Sequence, residues 1–337
     1  MNKISLSICI PTYNFGKFIG QTLDSIIPNL REGIEVIILD DGSTDNTDIE
    51  VEKRLTQNNQ IKYHKQGFKG GIDKDIAKVI SLSKGEYCWL FSADDLMLPG
   101  SVDKILNILP TGYDVFLCEQ FLCDYNMNII KRYSIFKNIN RQEKFDLSDI
   151  KQRKRYFKEA LNTEAFFSFL AGPIFKKTVW DNSEDIPESF YKTSWGLAGR
   201  LLSQVPKGLI VYYLNETLLL KRSGNDSFLN NGLIKRIQIT IDGYSHIAAT
   251  IFGNKSFEAF HIRRVMRNEW VFKTILYAKL QTKLNPEKEK LELLNKLAHR
   301  LYSSAGIINI CKYAIFRFTP ILLIEAIWLL KKKIKSK

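Results

Sequence analysis

Two adjacent carboxylates follow a stretch of the chain that is typical of a buried strand. Tyr87–Phe91 is short, apolar and rich in aromatic residues, and it ends at Ser92 and Ala93, which precede Asp94 and Asp95. In an open α/β sheet, ligands bind beyond the carboxyl ends of the strands. Two carboxylates at such a position can hold a divalent cation, Mg²⁺ or Mn²⁺, that bridges phosphate oxygens. The pattern therefore indicates a metal-dependent phosphate site, with a solvated acidic loop as the alternative.

Two earlier strand-like runs also stop at polar residues. Ser5–Ile10 is β-branched and ends at Pro11–Asn14, because proline cannot continue a central strand. Glu35–Leu39 is a second buried run, and it ends at Asp40–Ser43. Parallel strands bring their carboxyl ends to one edge of a sheet. We therefore expect these two segments and the acidic pair to form one pocket.

The regions around these segments alternate between strand and helix. Asp73 is predicted to be the N-cap of a helix that extends to about Ser83, and Thr44 or Asp45 is predicted to cap an earlier helix. Ser101–Leu109 predicts a further helix. This alternation over residues 1–120 predicts an α/β fold with a mostly parallel sheet flanked by helices.

Composition and charge restrict the class of protein. The chain has 337 residues and a formal net charge of +13, which favours an anionic partner such as a phosphorylated substrate, nucleic acid or an anionic membrane surface. No G-x-G-x-x-G follows the first strand and no G-x-x-x-x-G-K-[ST] is present, which argues against dinucleotide and P-loop sites. The five cysteines lack metal-ligand spacing and indicate reduced thiols in a cytosolic protein. The apolar run at the N-terminus is too short to predict a secretory signal.

Three segments, in this order, resemble the nucleotide-sugar-binding half of family 2 glycosyltransferases. They read SICIPTYN, EVIILDDGSTDNT and GEYCWLFSADD, and they lie within residues 7–95. The resemblance implies a GT-A fold, which is a Rossmann-like α/β domain. It also implies that Asp40 hydrogen-bonds the base and that Asp94 and Asp95 are the metal-binding pair, with Asp95 expected as the direct ligand. The donor-binding residues that it implies are Pro11, Thr12, Tyr13, Asn14, Asp40, Asp41, Gly42, Ser43, Gly71, Lys74, Ser92, Ala93 and Asp94.

A later motif departs from the family pattern. Many family members carry E-D-W-x-L-x-x-R-L, in which the Asp is the general base of inverting transfer. The W, L, R and L positions match within Trp195–Leu201, but Thr193 and Ser194 occupy the E-D positions. Neither hydroxyl can serve as a base near neutral pH unaided. This departure puts a simple inverting mechanism in doubt.

Two explanations of the missing base stay open. In the first, another carboxylate acts as the base, and the candidates are Asp181, Asp185 and Glu188. In the second, the transfer retains the configuration of the sugar and the leaving phosphate assists it.

The second half resembles O-antigen abequosyltransferases and related dideoxyhexosyl transferases of Gram-negative bacteria. The segments read FFSFL, IFKKTVWD, YKTSW and LLLKRSGNDSF, and the resemblance extends to about Phe228. A plain surface turn is the alternative for Ser223–Asp226. The catalytic residues that we expect are Asp94, Asp95, Ser194 and Arg222, and the acceptor-side residues are Trp195, Asn225 and Asp226.

The chain is expected to divide into a catalytic and a helical region. Residues 1–228 would form the glycosyltransferase domain, with a nucleotide-sugar-binding half at 1–120 and an acceptor half at 121–228. Residues 229–337 would form a helical C-terminal region.

The last part of that region, residues 306–337, is apolar, aromatic and basic. Lys312, Arg317 and Glu325 interrupt it, so no uncharged run is long enough to span a membrane. A helix of this kind is typical of the membrane interface, with lysines on anionic headgroups. Packing against the catalytic domain is the alternative. The side chains expected to enter the membrane are Ile321, Leu322, Ile324, Ile327, Trp328 and Leu330.

These features together predict a metal-dependent glycosyltransferase that is cytoplasmic and peripheral on the cytoplasmic face of the inner membrane. The donor would be a nucleoside-diphosphate sugar, with CDP-abequose or a related dideoxyhexose as the first candidate, and the acceptor a lipid-linked O-antigen precursor. A sugar nucleotidyltransferase of the same general fold is one alternative, but its Gly-rich basic signature after the first strand is absent. A nucleic-acid-binding protein is another, and it would need basic residues interleaved with aromatics in a groove. No nucleic acid partner is expected.

Overall fold

The computed structural model describes residues 4–56, 58–183, 189–190, 193–284, 288–303 and 306–335. The chain divides into two compact units, Met1–Asn225 and Asp226–Lys337. Each unit is built from elements that are close in sequence, so each is described by itself.

The first unit begins with four parallel strands in the order β3-β2-β1-β4. These strands are β1 (Leu6–Thr12), β2 (Ile34–Asp40), β3 (Ile61–Lys65) and β4 (Tyr87–Leu90). The connecting helices are α1 (Gly16–Ile26), α2 (Thr47–Leu55) and α3 (Ile72–Leu82). All of β1, β2 and β4 is buried, because both faces of this half of the sheet are covered by helices or loops. The predicted parallel half is therefore present.

The rest of the first unit adds strands of both directions to this sheet. They are β5 (Leu96–Met97), β6 (Val115–Cys123), β7 (Ile129–Tyr133), β8 (Glu143–Asp146), β9 (Pro173–Lys176) and β10 (Ile210–Arg222). The helices are α4 (Ser101–Ile108), α5 (Ile150–Glu159), α6 (Lys177–Asp181) and α7 (Gly196–Ser203). The described residues form a ten-stranded sheet in the order β3-β2-β1-β4-β9-β6-β10-β5, with β7 beside β6 and β8 beside β10.

The direction of β9 decides which loops meet. It is antiparallel to both β4 and β6, with Trp89 opposite Ile174 and Leu117 opposite Pro173. The beginning of β9 therefore lies at the edge of the sheet where β1, β2 and β4 end. The segment that precedes β9 comes to the same edge as the acidic pair.

The core of this unit lies between the sheet and α1. Aromatic and β-branched side chains fill it, among them Trp89, Phe91 and Phe116, which are fully buried. The indole N–H of Trp89 donates to the carbonyl of Ala171 at 2.9 Å, so its polar atom is satisfied inside the core. Burial of each side chain of this size contributes about 1.5–3 kcal/mol to the stability of the folded unit.

Of the two predicted helix caps, the one at Asp73 is wrong. α3 begins at Ile72 with Gly71 in the N-cap position, at φ +93°, so Asp73 lies inside the first turn. The carboxylate of Asp73 is used elsewhere, as described below. α2 begins at Thr47 with Asn46 in the N-cap position, and Oδ1 of Asp45 accepts the backbone N–H of Thr47 at 3.0 Å, so Asp45 does bind the first amide of this helix.

The second unit is helical. Its helices are α8 (Leu233–Ile247), which continues as a π-helical turn (Ala248–Phe252), α9 (Phe257–Glu269), α10 (Phe272–Leu284), α11 (Lys288–Tyr302), α12 (Ile307–Phe318) and α13 (Ile321–Lys335). α9 and α10 are separate helices, because the chain breaks at Trp270 and Val271. No helix among the described residues is long and apolar enough to cross a membrane.

The prediction of which tail side chains face outward is wrong for part of α13. Ile324 is buried, and the Trp328 ring stacks on Tyr277 of α10 with a centroid distance of 5.0 Å. Leu322 is exposed, as expected. The side chains of Ile327 and Leu330 lie outside the described residues. One face of α13 therefore packs within its own unit.

Candidate active site

The acidic pair lies at the carboxyl edge of the sheet and is held there by the end of β10. Asp95 is 2% exposed, and its Oδ1 accepts a hydrogen bond from the backbone N–H of Arg222 at 2.8 Å. Nε of Arg222 donates to the carbonyl of Asp94 at 2.9 Å. One arginine thus fixes the positions of both aspartates.

The carboxylate of Asp94 is oriented from two further directions. The hydroxyl of Ser92 donates to Oδ1, and the side-chain amide of Asn225 donates to Oδ2. Asn225 is 131 positions away from Asp94 in the chain. The structure therefore brings together four of the predicted site residues, Ser92, Asp94, Asp95 and Arg222, and the predicted acceptor-side residue Asn225.

The guanidinium of Arg222 is itself held by groups that the sequence did not identify. Nη2 donates to Oε1 of Gln21 in α1 at 2.9 Å, and Nη1 donates to the carbonyl of Tyr125. The guanidinium also lies over the ring of Phe18, 4.8 Å from its centroid. Gln21, Tyr125 and Phe18 stand outside any recognisable motif, so no pattern in the sequence identified them. Their contacts make Arg222 a fixed positive charge beside the acidic pair.

The acidic pair has the chemistry of a divalent cation site. Burial and the neighbouring Asp94 raise the pKa of Asp95 well above its usual range. Oδ2 of Asp95 accepts no hydrogen bond from any residue that the structure describes, so this oxygen is available to a cation. Among the described residues no three His, Cys, Asp or Glu side chains converge on a metal position. The protein thus offers two carboxylates as ligands, which suits an ion that takes its other ligands from phosphate and water.

The loops after β1 and β2 are joined to each other. Asn14, at φ +58°, donates its backbone N–H to Oγ of Ser43 and accepts the backbone N–H of Thr44 on Oδ1, both at 2.8 Å. Gly42 has φ +78°, a conformation that favours glycine. Tyr13 lies beside these residues in sequence and packs against Lys69, whose Nζ is 4.0 Å from the ring centroid. Together these contacts form one rigid wall at the same sheet edge.

Asp40 and Asp41 are buried behind this wall. Asp40 is fully buried, with Oδ1 accepting from the backbone N–H of Ser43 at 2.7 Å and Oδ2 from the hydroxyl of Tyr63 at 2.5 Å. Each oxygen therefore already has one donor from the protein. The expected hydrogen bond from Asp40 to a base stays a prediction.

Asp41 fixes the glycine loop before α3. It accepts the backbone N–H groups of Gly70 at 2.6 Å and Gly71 at 3.1 Å, and the amide of Gln66 at 3.1 Å. Asp75, one turn into α3, lies against it, and burial together with the Asp41 carboxylate raises the pKa of Asp75 to about 7. Asp41 is thus a structural support of the donor-side loop.

Several other predicted residues line this edge without a described partner in the site. Pro11 lies in β1 opposite Leu39. Thr12 is 5% exposed, and its hydroxyl finds no hydrogen-bond partner among the described residues. Ala93 is buried, whereas Lys74 is exposed at the start of α3.

The segment with Thr193 and Ser194 is anchored by a carboxylate from α3. Oδ2 of Asp73 accepts the backbone N–H of Ser194 and Oδ1 accepts that of Gly196, both at 2.9 Å. Ser194 has φ +64°, a strained conformation for a residue with a side chain, and Trp195 occupies the N-cap position of α7. Burial raises the pKa of Asp73. A carboxylate thus does reach this segment, but it binds backbone groups, and no pattern in the sequence indicated it.

One candidate base from the sequence, Asp181, does not lie at the edge of the sheet that carries the acidic pair. Asp181 pairs with Lys177 at 3.0 Å, and Lys177 donates its backbone N–H to Glu86 at the beginning of β4. Asp181 therefore lies at the opposite edge of the sheet, and its proposed role as the base is wrong. Asp185 and Glu188 lie outside the described residues.

The two predicted acceptor-side residues Asn225 and Asp226 make contacts in different parts of the chain. Asn225 binds Asp94, as described above. The carboxylate of Asp226 accepts the backbone N–H of Phe228 at 2.9 Å and pairs with Arg236 of α8 at 2.8 Å. Asp226 is therefore part of the second unit, where it begins a short helical turn.

Comparisons with known proteins agree with this geometry. The family model described as Glycosyl transferase family 2 matches residues 7–174. Abequosyltransferase RfbV of Salmonella typhimurium is 28% identical over 281 residues, which are 81% of this chain and 84% of that protein.

Two solved structures share the fold. S. aureus TarS 1-349 in complex with UDP-GlcNAc has a TM-score of 0.61 at 17% identity and covers 93% of this chain and 90% of that chain. The mannosyltransferase PcManGT from Pyrobaculum calidifontis in complex with GDP-Man and Mn2+ has a TM-score of 0.54 at 13% identity and covers 96% of this chain and 83% of that chain.

The sheet, its flanking helices and the acidic edge define a glycosyltransferase with a GT-A fold. The predicted fold class is confirmed, although the complete sheet is mixed in strand direction. The chain belongs to glycosyl transferase family 2, and it is similar to Salmonella abequosyltransferase RfbV over most of its length. The family model and this relative both indicate glycosyl transfer, which sets aside the nucleotidyltransferase alternative.

Proposed function

We propose that this enzyme transfers a 3,6-dideoxyhexose, abequose or a close relative, from its CDP-activated form to a lipid-linked O-antigen or surface polysaccharide precursor. The observation that carries the proposal is the Asp94–Asp95 pair, which is held at the donor edge by Arg222 and Asn225 from the far end of the catalytic unit. The similarity to an abequosyltransferase over 84% of that protein supports the sugar class.

The residues of the acidic pair divide the work at the diphosphate. Asp95, through its available Oδ2, and Asp94 would hold a Mg²⁺ or Mn²⁺ ion. When bound, such an ion stabilises as a Lewis acid the negative charge that develops on the leaving nucleoside diphosphate. Arg222 keeps the two carboxylates in position, and Asn225 orients Asp94 from the acceptor side. The Mn2+ named with the mannosyltransferase PcManGT supports this choice of ion.

The donor-side wall binds and orients the nucleotide. The loops at Pro11–Asn14 and Asp40–Ser43 are joined through Asn14, and Asp41 fixes the glycines before α3. Backbone groups held in this way cannot relax around a wrong ligand, so the wall discriminates by shape. Lys69, over the ring of Tyr13, adds positive charge on the side from which an anionic donor would enter.

The acceptor would be presented by the membrane, and the second unit offers a surface for contact with that membrane. Five side chains of α12 fall within roughly 100° of its circumference and face solvent. We call them the α12 apolar stripe: Ile307, Ile308, Cys311, Ile315 and Phe318. Ile307 and Phe318 are each 81% exposed, which is unusual for a helix that packs on a globular core.

Charge favours a lipid surface as the partner of this stripe. Residues 311–337 carry seven lysines and arginines and one glutamate. Each basic residue near an anionic leaflet contributes about 1 kcal/mol, and each apolar side chain that enters the interface contributes up to about 1.5–3 kcal/mol. Nζ of Lys279 donates to the carbonyls of Phe316 and Thr319 and so fixes the end of α12. We therefore place the enzyme at the cytoplasmic face of the inner membrane, attached without a spanning helix.

A panel of nucleotide sugars tests the proposed donor. CDP-, UDP-, GDP- and dTDP-sugars are added with Mg²⁺ or Mn²⁺, and thermal stabilisation and sugar hydrolysis are measured. The proposal predicts that a CDP-dideoxyhexose stabilises the protein and is hydrolysed only with the ion present. Selective response to a UDP- or GDP-hexose would refute the sugar assignment and leave glycosyl transfer intact.

A further inference from the structure

A buried carboxylate that no motif identified lies in the acceptor half of the catalytic unit. Glu164 is 5% exposed and belongs to a single helical turn (Thr163–Phe166) before β9. Its Oε1 accepts a hydrogen bond from Nζ of Lys221 at 2.9 Å, and its Oε2 accepts one from the side-chain amide of Gln120. Gln120 is fully buried, and its Oε1 has no donor among the described residues. A buried polar cluster with an acceptor atom to spare is unusual in a core and indicates a place where a ligand group or water binds.

The sheet topology brings this cluster to the edge that carries the acidic pair. Because β9 is antiparallel to β4, the segment that leads into Pro173 lies where β4 ends. Gln120 lies on β6 past Leu117, which pairs with Pro173. Lys221 directly precedes Arg222, whose backbone N–H binds Asp95. Glu164 is therefore connected to Asp95 through the side chain of Lys221 and the backbone N–H of Arg222.

The cluster opens to solvent at one side. The Lys221 side chain is 30% exposed, whereas that of Glu164 is 6% exposed. Nζ of Lys221 lies 4.2 Å from the ring centroid of Phe169 and 5.7 Å from that of Tyr133. Aromatic rings beside a carboxylate and an ammonium group match the apolar faces and hydroxyls of a sugar. An acceptor sugar that covers Lys221 would bring a hydroxyl to Glu164.

We propose that Glu164 is the catalytic base of this enzyme, in place of the carboxylate that Thr193 and Ser194 do not provide. This inference rests on the glycosyl transfer proposed above. The acceptor hydroxyl oxygen attacks the anomeric carbon, its proton passes to Glu164, and the bond from that carbon to the phosphate oxygen breaks with its electron pair on the nucleoside diphosphate. Each carboxylate oxygen has two acceptor positions, so the bonds from Lys221 and Gln120 leave one free on each. A base on the acceptor side implies that the product has the inverted configuration.

The substitution Glu164→Gln tests the proposal, because glutamine has the same shape and cannot take the proton. The probe is the CDP-, UDP-, GDP- or dTDP-sugar that stabilises the wild-type enzyme most, with water as the acceptor, since the base also activates water. We expect hydrolysis to fall about 100-fold or more, with the affinity for the nucleotide sugar unchanged. The acid limb of the pH–rate profile should disappear. Hydrolysis within threefold of wild type, or equal losses of rate and donor affinity, would overturn the assignment.

Glu119 provides a matched control. It is the residue before Gln120 on β6, it is fully buried, and it binds Arg132 and the hydroxyl of Tyr213. Consecutive side chains of a strand point to opposite faces, so Glu119 is directed away from Glu164. Glu119→Gln should lower stability and leave the hydrolysis rate per folded molecule within a few fold. Equal losses of rate in both variants would show that Glu164 has only a structural role.

A second variant keeps the test decisive if Glu164→Gln does not fold. Lys221 of β10 forms an ion pair with Glu164 at 2.9 Å. Lys221→Met removes the positive charge, so the acid limb of the pH–rate profile should move to higher pH. An unshifted limb, or a product with the retained configuration, would overturn the proposal. If no nucleotide sugar binds the wild-type enzyme, the proposed function fails instead.

Discussion

Replacing Asp75 by asparagine should stabilise the folded protein more at pH 8 than at pH 5. Asp75 lies in the first turns of α3, 5% exposed, and shares a hydrogen bond with Asp41. Burial and the Asp41 carboxylate raise the pKa of Asp75 to about 7. Asp41 in turn holds Gly70 and Gly71, so the charge of this pair acts directly on the donor-side loop.

The sign of the pH effect follows from the raised pKa. The folded protein binds the proton of Asp75 more tightly than the unfolded chain does, for which the ordinary pKa is 3.8. This contribution to stability is complete below pH 3.8 and is lost as the pH rises through about 7. Each tenfold difference in proton affinity corresponds to about 1.4 kcal/mol, so the loss at pH 8 is at most about 4 kcal/mol. Asparagine cannot ionise, and its amide can donate to Asp41 as the protonated carboxyl does.

Urea denaturation at pH 5 and pH 8 measures the difference. We expect the free energy of unfolding of Asp75→Asn to exceed that of wild type by up to about 4 kcal/mol at pH 8 and by up to about 2 kcal/mol at pH 5, because the unfolded carboxyl is already ionised at pH 5. Asp103→Asn, at an exposed residue that pairs with Arg31, is the control and should show no such pH dependence. A difference between wild type and Asp75→Asn that is the same at both pH values would refute the reasoning.

Three other substitutions probe the parts of the structure around the site. Asp73→Ala leaves two backbone N–H groups of the 194–196 loop without an acceptor, so the free energy of unfolding in urea should fall by about 2–4 kcal/mol. Asn225→Ala removes the amide that orients Asp94 and should weaken Mn²⁺-dependent nucleotide-sugar binding, measured by calorimetry, about tenfold. Phe318→Asp places a charge on the α12 apolar stripe and should reduce flotation with vesicles of anionic phospholipid, whereas Ile129→Asp on exposed β7 should not.

Each of these expectations has a contrary result. Unchanged stability of Asp73→Ala would mean that solvent reaches the 194–196 loop. Binding of full strength by Asn225→Ala would remove Asn225 from the site. Equal flotation of Phe318→Asp and wild type, or a Phe318-dependent dimer in solution, would assign the stripe to a protein partner.

The donor edge was predictable from the sequence because it depends on local patterns. Pro11 and the pair Asp94–Asp95 directly follow buried runs, and parallel strands must end at a common edge. Arg222 and Asn225 were assigned through a family resemblance, and the contacts that they make with Asp95 and Asp94 required the path of β10.

The groups that sequence reasoning missed depend on long-range packing. Glu164 reaches the edge only because β9 runs antiparallel to β4, and no periodicity in a four-residue strand reveals its direction. Asp73 is of a residue type that often caps helices and lies near the start of α3, yet its carboxylate binds a loop 121 positions away. In the tail, the apolar and basic residues were evident from the sequence. Their directions were not, because Trp328 packs against Tyr277 while the α12 apolar stripe faces solvent. Amphipathic patterns indicate that a helix has two faces and leave open which face is covered.

The most direct test of the central claim is the metal-dependent binding of nucleotide sugar by Asp95→Asn, measured by calorimetry. The substitution keeps the hydrogen bond from Arg222 possible and removes the charge that the ion needs. With Mn²⁺ present, wild type should bind the donor at least tenfold more tightly than without it, and Asp95→Asn should show no such gain while keeping its melting temperature. Asp103→Asn should behave as wild type. A Mn²⁺-dependent gain of equal size in wild type and Asp95→Asn would contradict the assignment of the acidic pair as the metal site.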